Sequence, residues 1–410
     1  MAIPTKFNWK NLSQWLIVGG IFTERYYEFM ILMIVGIVNT YIWKKFEINI
    51  KLLVFFVALF FYSLILLSST HYTPYKFFQQ YFLLFLFFVF YYSFFYLNRN
   101  EILNIFRKYL FIAYFVALLG VIQWFIYFLT EINIFSFIYG RITIIMGPRI
   151  LRINSIIDEA SYLSTLLTPA ATYYIILKGT LSQKEKFRKY IIYACIFLTF
   201  SSVTYLIMVL VIIYKYLFVR KYLIAKVITL IILTTVGSGF FFLLSTPKIE
   251  QEKNIFSDIV MKITDTTLAF KDLDPESFDM LNMSSYATIT NIWVAMNAPN
   301  RCLGTGLGTH EQNYYKTYYS DSIFYGINAA EGYSLFNRIF SEFGFVGIIL
   351  LLLLIGKLYN KESIINISVF FIILTLLIRG GHYTRYGTIF FFYLYYYTSI
   401  SMIKKRISNQ

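Results

Sequence analysis

Long apolar stretches broken by short polar turns run through most of this chain. Windows of about 20 apolar residues, the length that crosses roughly 30 Å of hydrocarbon, recur at about 11–23, 26–43, 51–69, 78–97, 109–130, 160–177, 190–217, 222–245, 333–356, 363–379 and 385–403. The pattern predicts an all-α fold, a polytopic helical membrane protein of about 10–12 spans forming a single membrane domain over 1–410. One interval departs from it. Thr246 to Gly332 is mostly polar and holds 11 of the 21 acidic residues but only 6 of the 36 basic ones. A multi-span chain with one large late loop is more often an enzyme acting on a lipid-linked substrate than a channel.

The segment 190–217 is flanked by positive charge on both sides. Lys184, Lys186, Arg188 and Lys189 precede it, and Lys215, Arg220 and Lys221 follow. A break at Ser201-Ser202 resolves this, giving two short helices at about 190–200 and 205–217 that return to one side as a broken or re-entrant hairpin. Two tilted crossings give the same sidedness. The positive-inside rule then places both termini in the cytoplasm and the loop 246–332 on the outer face. The Glu131–Ile153 connection, the heart of an arginine-rich loop over 131–159, and the Arg379–Arg385 turn also face outward. This predicts a multi-pass membrane protein with its large loop facing away from the cytoplasm. Met1 to Lys6 leads into apolar sequence with no small-residue cleavage site, so the first span is expected to serve as the insertion signal.

Within the large loop, Ile255, Phe256, Ile259, Val260 and Ile263 recur at helical spacing. So do Tyr286, Ile289, Trp293 and Met296, after a Ser284 N-cap and before Pro299. Composition adds little beyond confirmation: 58% hydrophobic, 21% aromatic, 14% charged, mean hydropathy +0.63. The net charge of +15 follows from the positive-inside rule and does not call for a nucleic-acid partner. Cys195 and Cys302 lie in an apolar segment and in the loop, respectively, which argues against a disulfide.

The candidate chemistry is external. Arg141, Arg149 and Arg152 precede Asp158-Glu159-Ala160-Ser161, and arginine presents a planar fork suited to phosphate oxygens; interfacial snorkelling is the plainer reading. Arg379 and Arg385 bracket a glycine turn that contains His382, a hydrogen-bond donor or base. His310 follows the run Gly304-Thr305-Gly306-Leu307-Gly308, which lacks the strand, helix and acidic partner of a nucleotide fingerprint. Glu331, where the loop returns to the apolar sequence, offers a base for an incoming sugar hydroxyl; a solvated acid at a helix N-terminus is the plainer reading. Arg338 and Glu342 are four apart and suited to pair. His71, His310 and His382 lie far apart and no Asp-x-Asp cluster occurs, so neither a metal nor another cofactor is expected.

This layout resembles the bacterial O-antigen and capsule polymerase/ligase superfamily. Arg152 with Glu159-Ala160-Ser161 is similar to that family's arginine followed by Glu-Pro-Ser. Gly304 to Gly308 is similar to its glycine-rich loop segment, and Glu342-Phe343-Gly344-Phe345-Val346-Gly347 to its Glu-x-Gly-x-x-Gly helix start. The resemblance implies a membrane glycosyltransferase fold (GT-C-like) and a metal-independent polymerase. Its substrate would be an undecaprenyl-pyrophosphate-linked oligosaccharide at the outer face of the lipid bilayer, with room for a chain-length-determining co-polymerase as a partner. Arg149, Arg152, Arg379 and Arg385 would hold the pyrophosphate, with Glu159 and Arg338 in support, and Glu331, His310 and His382 compete as the base. The ligase branch opens its late helix with His-Asn, where this chain has Tyr333-Ser334, which favours the polymerase. A ligase of the same fold remains the nearest alternative. A lipid-linked oligosaccharide flippase or other transporter is the alternative from another class, although no similar halves are visible and Glu28 is its one suggestive feature.

Overall fold

The structure is a computed structural model, which describes residues 8–23, 25–43, 46–136, 145–147, 149–219 and 274–399. These residues are almost entirely helical. The helices are α1 (Trp9–Gly20), α2 (Arg25–Trp43), α3 (Ile50–Thr70), α4 (Tyr75–Leu97), α5 (Ile102–Thr130), α6 (Ala160–Ile176), α7 (Gln183–Leu198) and α8 (Ser202–Tyr214). After the end of the large loop, which carries α9 (Met283–Met296) and α10 (His310–Thr317), come α11 (Leu335–Leu358), α12 (Ile364–Ile378) and α13 (Thr388–Tyr397). The only strands among the described residues are Ile145–Gly147 and Ile150–Leu151, paired antiparallel. Among the described residues four helices are long and apolar enough to cross a membrane: Ile50–Thr70, Tyr75–Leu97, Arg99–Thr130 and Leu335–Leu358. On α3 and α11 the side chains of Val54, Phe61, Ile65, Leu350 and Leu353 stay exposed, apolar faces suited to lipid. The expected span 222–245 and the amphipathic helix around 255–263 lie outside the described residues, as do both termini.

Helix ends follow side-chain capping. Asn49, Ser334 and Ser363 each accept a hydrogen bond from a backbone N–H of the first turn, and Ser182 with Glu185 closes a reciprocal capping box. Several boundaries differ from the apolar pattern. α5 starts at Ile102 and carries Lys108 inside, because Asn11 Oδ1 and Gln14 Oε1 accept from its ammonium at 2.5 Å each. α9 is capped by Asn282, two residues before Ser284. α4 starts at Tyr75, which brings Lys76 onto the helix. The segment 190–217 divides between α7 and α8, joined through Phe200 in a left-handed conformation. α7 packs on α5 and α6, and α8 on α6 and α12, with Thr204 Oγ1 donating to Ser164 Oγ of α6 at 2.7 Å.

The core is aromatic. Phe87, Phe95, Tyr109, Phe390, Phe391 and Tyr395 are fully enclosed. Tyrosine suits this interior because its hydroxyl satisfies a helix carbonyl while its ring packs: Tyr109 donates to Leu166 O at 2.6 Å and Tyr395 to Ile355 O at 2.9 Å. Glu28 is enclosed as well. Its carboxyl group accepts from Tyr91 Oη at 2.7 Å and from the Gly387 N–H at 3.4 Å, ties between helices.

The loop end over 274–332 is folded around its own cluster of Phe278, Tyr286, Ile289, Val294 and Tyr314. Its glycine run is a threading device. A Cβ at Gly304 would fall 2.3 Å from the backbone of Glu342, one at Gly306 3.1 Å from Ser63 O, and one at Gly308 3.0 Å from Lys76 O. The alternating glycines therefore let one strand of loop pass against α11, α3 and α4 in turn. Gly344, at φ +63°, kinks α11 where it meets Cys302 O.

Candidate active site

Glu159 is the N-cap of α6, and Arg379 the C-cap of α12. Their side chains meet: Arg379 Nη2 donates to Glu159 Oε1 at 2.5 Å, and Arg379 Nη1 donates to Tyr333 Oη at 3.0 Å. Ser161 Oγ also donates to Glu159 Oε1. Arg152 stands beside this pair. Its Nε donates to Thr199 O at 2.9 Å, and its electrostatic neighbours are Arg379, Glu159, Tyr205 and Tyr333. Burial and the Arg379 charge lower the Arg152 pKa, with Glu159 opposing; an arginine still keeps its proton. Burial raises the Glu159 carboxyl, but Arg379, Ser161 and Arg152 outweigh it, so its pKa lies below the ordinary value. The Nε of Arg379 is buried with no hydrogen-bond partner. Two guanidiniums around one carboxylate carry a net positive charge, a setting for an anionic group.

The turn from α12 to α13 builds a second cluster. Glu331 Oε2 lies 2.5 Å from His382 Nε2, and Arg385 Nη1 lies 3.8 Å from Glu331 Oε1. Gly381 makes this approach possible, since a Cβ there would fall 1.6 Å from Glu331 O. Burial raises the Glu331 carboxyl, but His382, Arg385 and Arg338 together hold it below the ordinary carboxylate value. Burial lowers the His382 imidazole, and Arg385 and Arg338 add to this against the opposing pull of Glu331. At neutral pH the pair is thus a carboxylate accepting from a neutral imidazole. That arrangement puts the proton on Nε2 and leaves Nδ1 as the basic nitrogen. Nδ1 has no hydrogen-bond partner among the described residues.

Glu331, His382, Thr384 and Arg385 open onto a cavity of about 230 Å³ whose opposite wall is the first two turns of α4, with Lys76, Gln79 and Gln80. Tyr162 of α6 joins the two clusters: its ring stacks on Tyr386 at 4.1 Å between centroids and lies 6.1 Å from the His382 ring.

Other sequence candidates sit elsewhere. Arg149 is exposed in a left-handed turn and its Nε lies 3.4 Å from Glu131 Oε1, so it does not join Arg152 and Arg379. Arg141 lies outside the described residues. His310 is 1% exposed, bonded through Nε2 to Asn291 Oδ1 at 3.0 Å, and is not among the residues lining the cavity. Burial, with the Arg338 charge, pushes its pKa down to about 3. It packs beneath Gly332, where a Cβ would fall 3.2 Å from its Nε2. Arg338 reaches the cavity wall but is anchored, its Nε donating to Glu342 Oε1 at 3.1 Å and its Nη1 to Gly381 O at 3.0 Å. Among the described residues no three histidine, cysteine, aspartate or glutamate side chains converge as a metal site requires.

Sequence reasoning missed Tyr333 as a partner of Arg379, and the whole contribution of α4. The one signal for the latter was Gln79-Gln80, an amide pair in a helix otherwise dominated by Phe, Tyr and Leu. Compared with known protein families, curated proteins and solved structures, the chain matches none.

Proposed function

We propose that this chain is a membrane glycosyltransferase of the GT-C-like type that polymerises lipid-linked oligosaccharide repeat units, working at the outer face of a bacterial cytoplasmic membrane. The single observation that supports this best lies in the turn 379–385. It carries Arg379 of an arginine pair, and His382 and Arg385 of a carboxylate–imidazole pair facing a cavity. Anion neutralisation and proton removal within seven residues are what glycosyl transfer from a pyrophosphate carrier demands.

In this reading the growing glycan is donated from undecaprenyl pyrophosphate. A hydroxyl oxygen of the next lipid-linked repeat forms a bond to the anomeric carbon of the donor sugar. The bond from that carbon to the phosphate oxygen breaks and takes its electron pair with it. Arg152 and Arg379 stabilise the charge developing on the leaving pyrophosphate. The hydroxyl proton passes to Nδ1 of His382, whose tautomer and orientation are held by Glu331. Atoms and charge balance without a metal or a cofactor.

The test is the surface-glycan ladder of a strain lacking the gene. Collapse to single repeats on their normal anchor is the expected result. Full-length polymer retained on the lipid carrier would mean ligation instead, and loss of external glycan with repeats trapped inside would mean flipping.

A further inference from the structure

The helix α4 is an apolar, aromatic span whose first turns break pattern, Tyr75-Lys76-Phe77-Phe78-Gln79-Gln80. Polar side chains in such a span are costly to keep and mark function. Phe77 is fully buried among other rings, while Gln79 is exposed and Gln80 half-buried on the cavity wall. Neither amide has a hydrogen-bond partner among the described residues. Each amide offers two donors and an acceptor, the complement of vicinal sugar hydroxyls.

The position of this wall is set by the same loop that carries Glu331. Lys76 Nζ lies 3.1 Å from Glu311 Oε2 of α10, and Gly308 passes against Lys76 O. Thr73 is likewise bonded, its N–H donating to Gln312 Oε1 at 2.8 Å. The amides and the Glu331–His382 pair therefore line one cavity, on walls tied to the same loop. At about 230 Å³ the cavity falls below the roughly 300–1,000 Å³ that accommodates drug-sized ligands, a size suited to one sugar residue.

We propose that Gln79 and Gln80 form the acceptor-sugar subsite and are specificity-determining residues. They hold the terminal sugar of the incoming repeat so that one hydroxyl meets His382. This rests on the glycosyltransferase reading above.

The experiment uses the full-length protein in nanodiscs. The probe is the soluble repeat-unit oligosaccharide released by mild acid from the lipid fraction of the deletion strain. Its binding is followed by saturation-transfer NMR. Wild type and Arg149→Ala are expected to bind alike, while Gln79→Ala/Gln80→Ala weakens binding on the order of tenfold, the equivalent of about 1.4 kcal/mol. Conservative Gln79→Asn and Gln80→Asn variants, both properly folded, should retain binding of altered strength between oligosaccharides. Equal affinity in the double alanine variant overturns the subsite and leaves the transferase reading standing. An unaltered glycan ladder in the deletion strain overturns that reading and the subsite with it.

Discussion

Arg379 and Glu159 stand 220 residues apart in the chain and meet at 2.5 Å. The contact joins the end of α12 to the start of α6, and it holds a guanidinium beside Arg152 that would otherwise be repelled. The carboxylate thus neutralises part of the positive charge that the two guanidiniums bring together.

Removing Arg379 should therefore cost catalysis more than folding. Arg379→Ala is expected to lower polymer synthesis on the order of 10²–10³-fold, the usual effect of deleting one stabiliser of developing charge. Membrane-inserted protein should remain at wild-type level. Arg149→Ala, at an exposed pair with Glu131, is expected to stay within about twofold. Quantified glycan ladders beside immunoblots of membrane fractions check both, and equal loss in the two variants would remove the distinction between them.

The Glu331–His382 pair predicts the form of the pH profile. In the proposed reaction His382 is unprotonated when it accepts the hydroxyl proton, so the rate is expected to rise with pH through its pKa. Burial places that pKa below the ordinary imidazole value, and the acid limb should accordingly have its midpoint below that of a free histidine. Glu331 raises the imidazole pKa. Replacing it in Glu331→Gln should move the acid limb further down while lowering the maximum rate on the order of tenfold or more. Rates measured on isolated lipid-linked repeat across pH 4–8 decide this. An acid limb that moves up in Glu331→Gln would mean that His382 is not the base.

Sequence pattern carried the helices well where a span had an apolar body and a polar cap, as at Asn49 and Ser334. It misplaced ends where a charged or amide side chain is satisfied by a distant helix. Lys108 marks a loop until Gln14 and Asn11 are seen to receive it, and Lys76 reads as a flank until Glu311 is found beside it. The candidate site shows the same division. Arg152, Glu159, Arg379, Glu331 and His382 stand out because charge in apolar surroundings is conspicuous. His310 and His382 are both buried, and what separates them is that only His382 lines the cavity, a property of chain segments that meet only on folding. The role of the glycine run was hidden for that reason too, since the backbones that Gly304, Gly306 and Gly308 touch belong to three other helices.

Gly381 is the hinge point on which the second cluster depends. With a Cβ falling 1.6 Å from Glu331 O, Gly381→Ala must push the turn away from the loop and separate His382 from Glu331. It also disturbs the carbonyl that accepts from Arg338 Nη1. Activity is expected to fall at least about 10²-fold, because misplacement of about 1 Å suffices for that. Gly356→Ala is the matching control, as no atom lies within 4 Å of a Cβ there. Near-normal polymer from Gly381→Ala would show that the contact relaxes without consequence.

Arg338 and Glu342 sit beneath that turn as an ion pair, 3% and 0% exposed. Glu342 also accepts from Tyr383 Oη at 2.8 Å, and the guanidinium lies over the Tyr383 ring at 4.3 Å. Both charges have lost their water, so their stability rests on each other and on these hydrogen bonds. Glu342→Ala strands a buried guanidinium and leaves the tyrosine hydroxyl without its acceptor, and is expected to cost about 3–5 kcal/mol. The double change Arg338→Met/Glu342→Leu removes both charges and fills much of their volume, so it should cost less than Glu342→Ala alone. Thermal unfolding of the purified protein in detergent ranks the two. A double variant less stable than the single one would mean that the pair contributes more than mutual neutralisation, through the bond from Arg338 to Gly381 O that holds the α12–α13 turn in place.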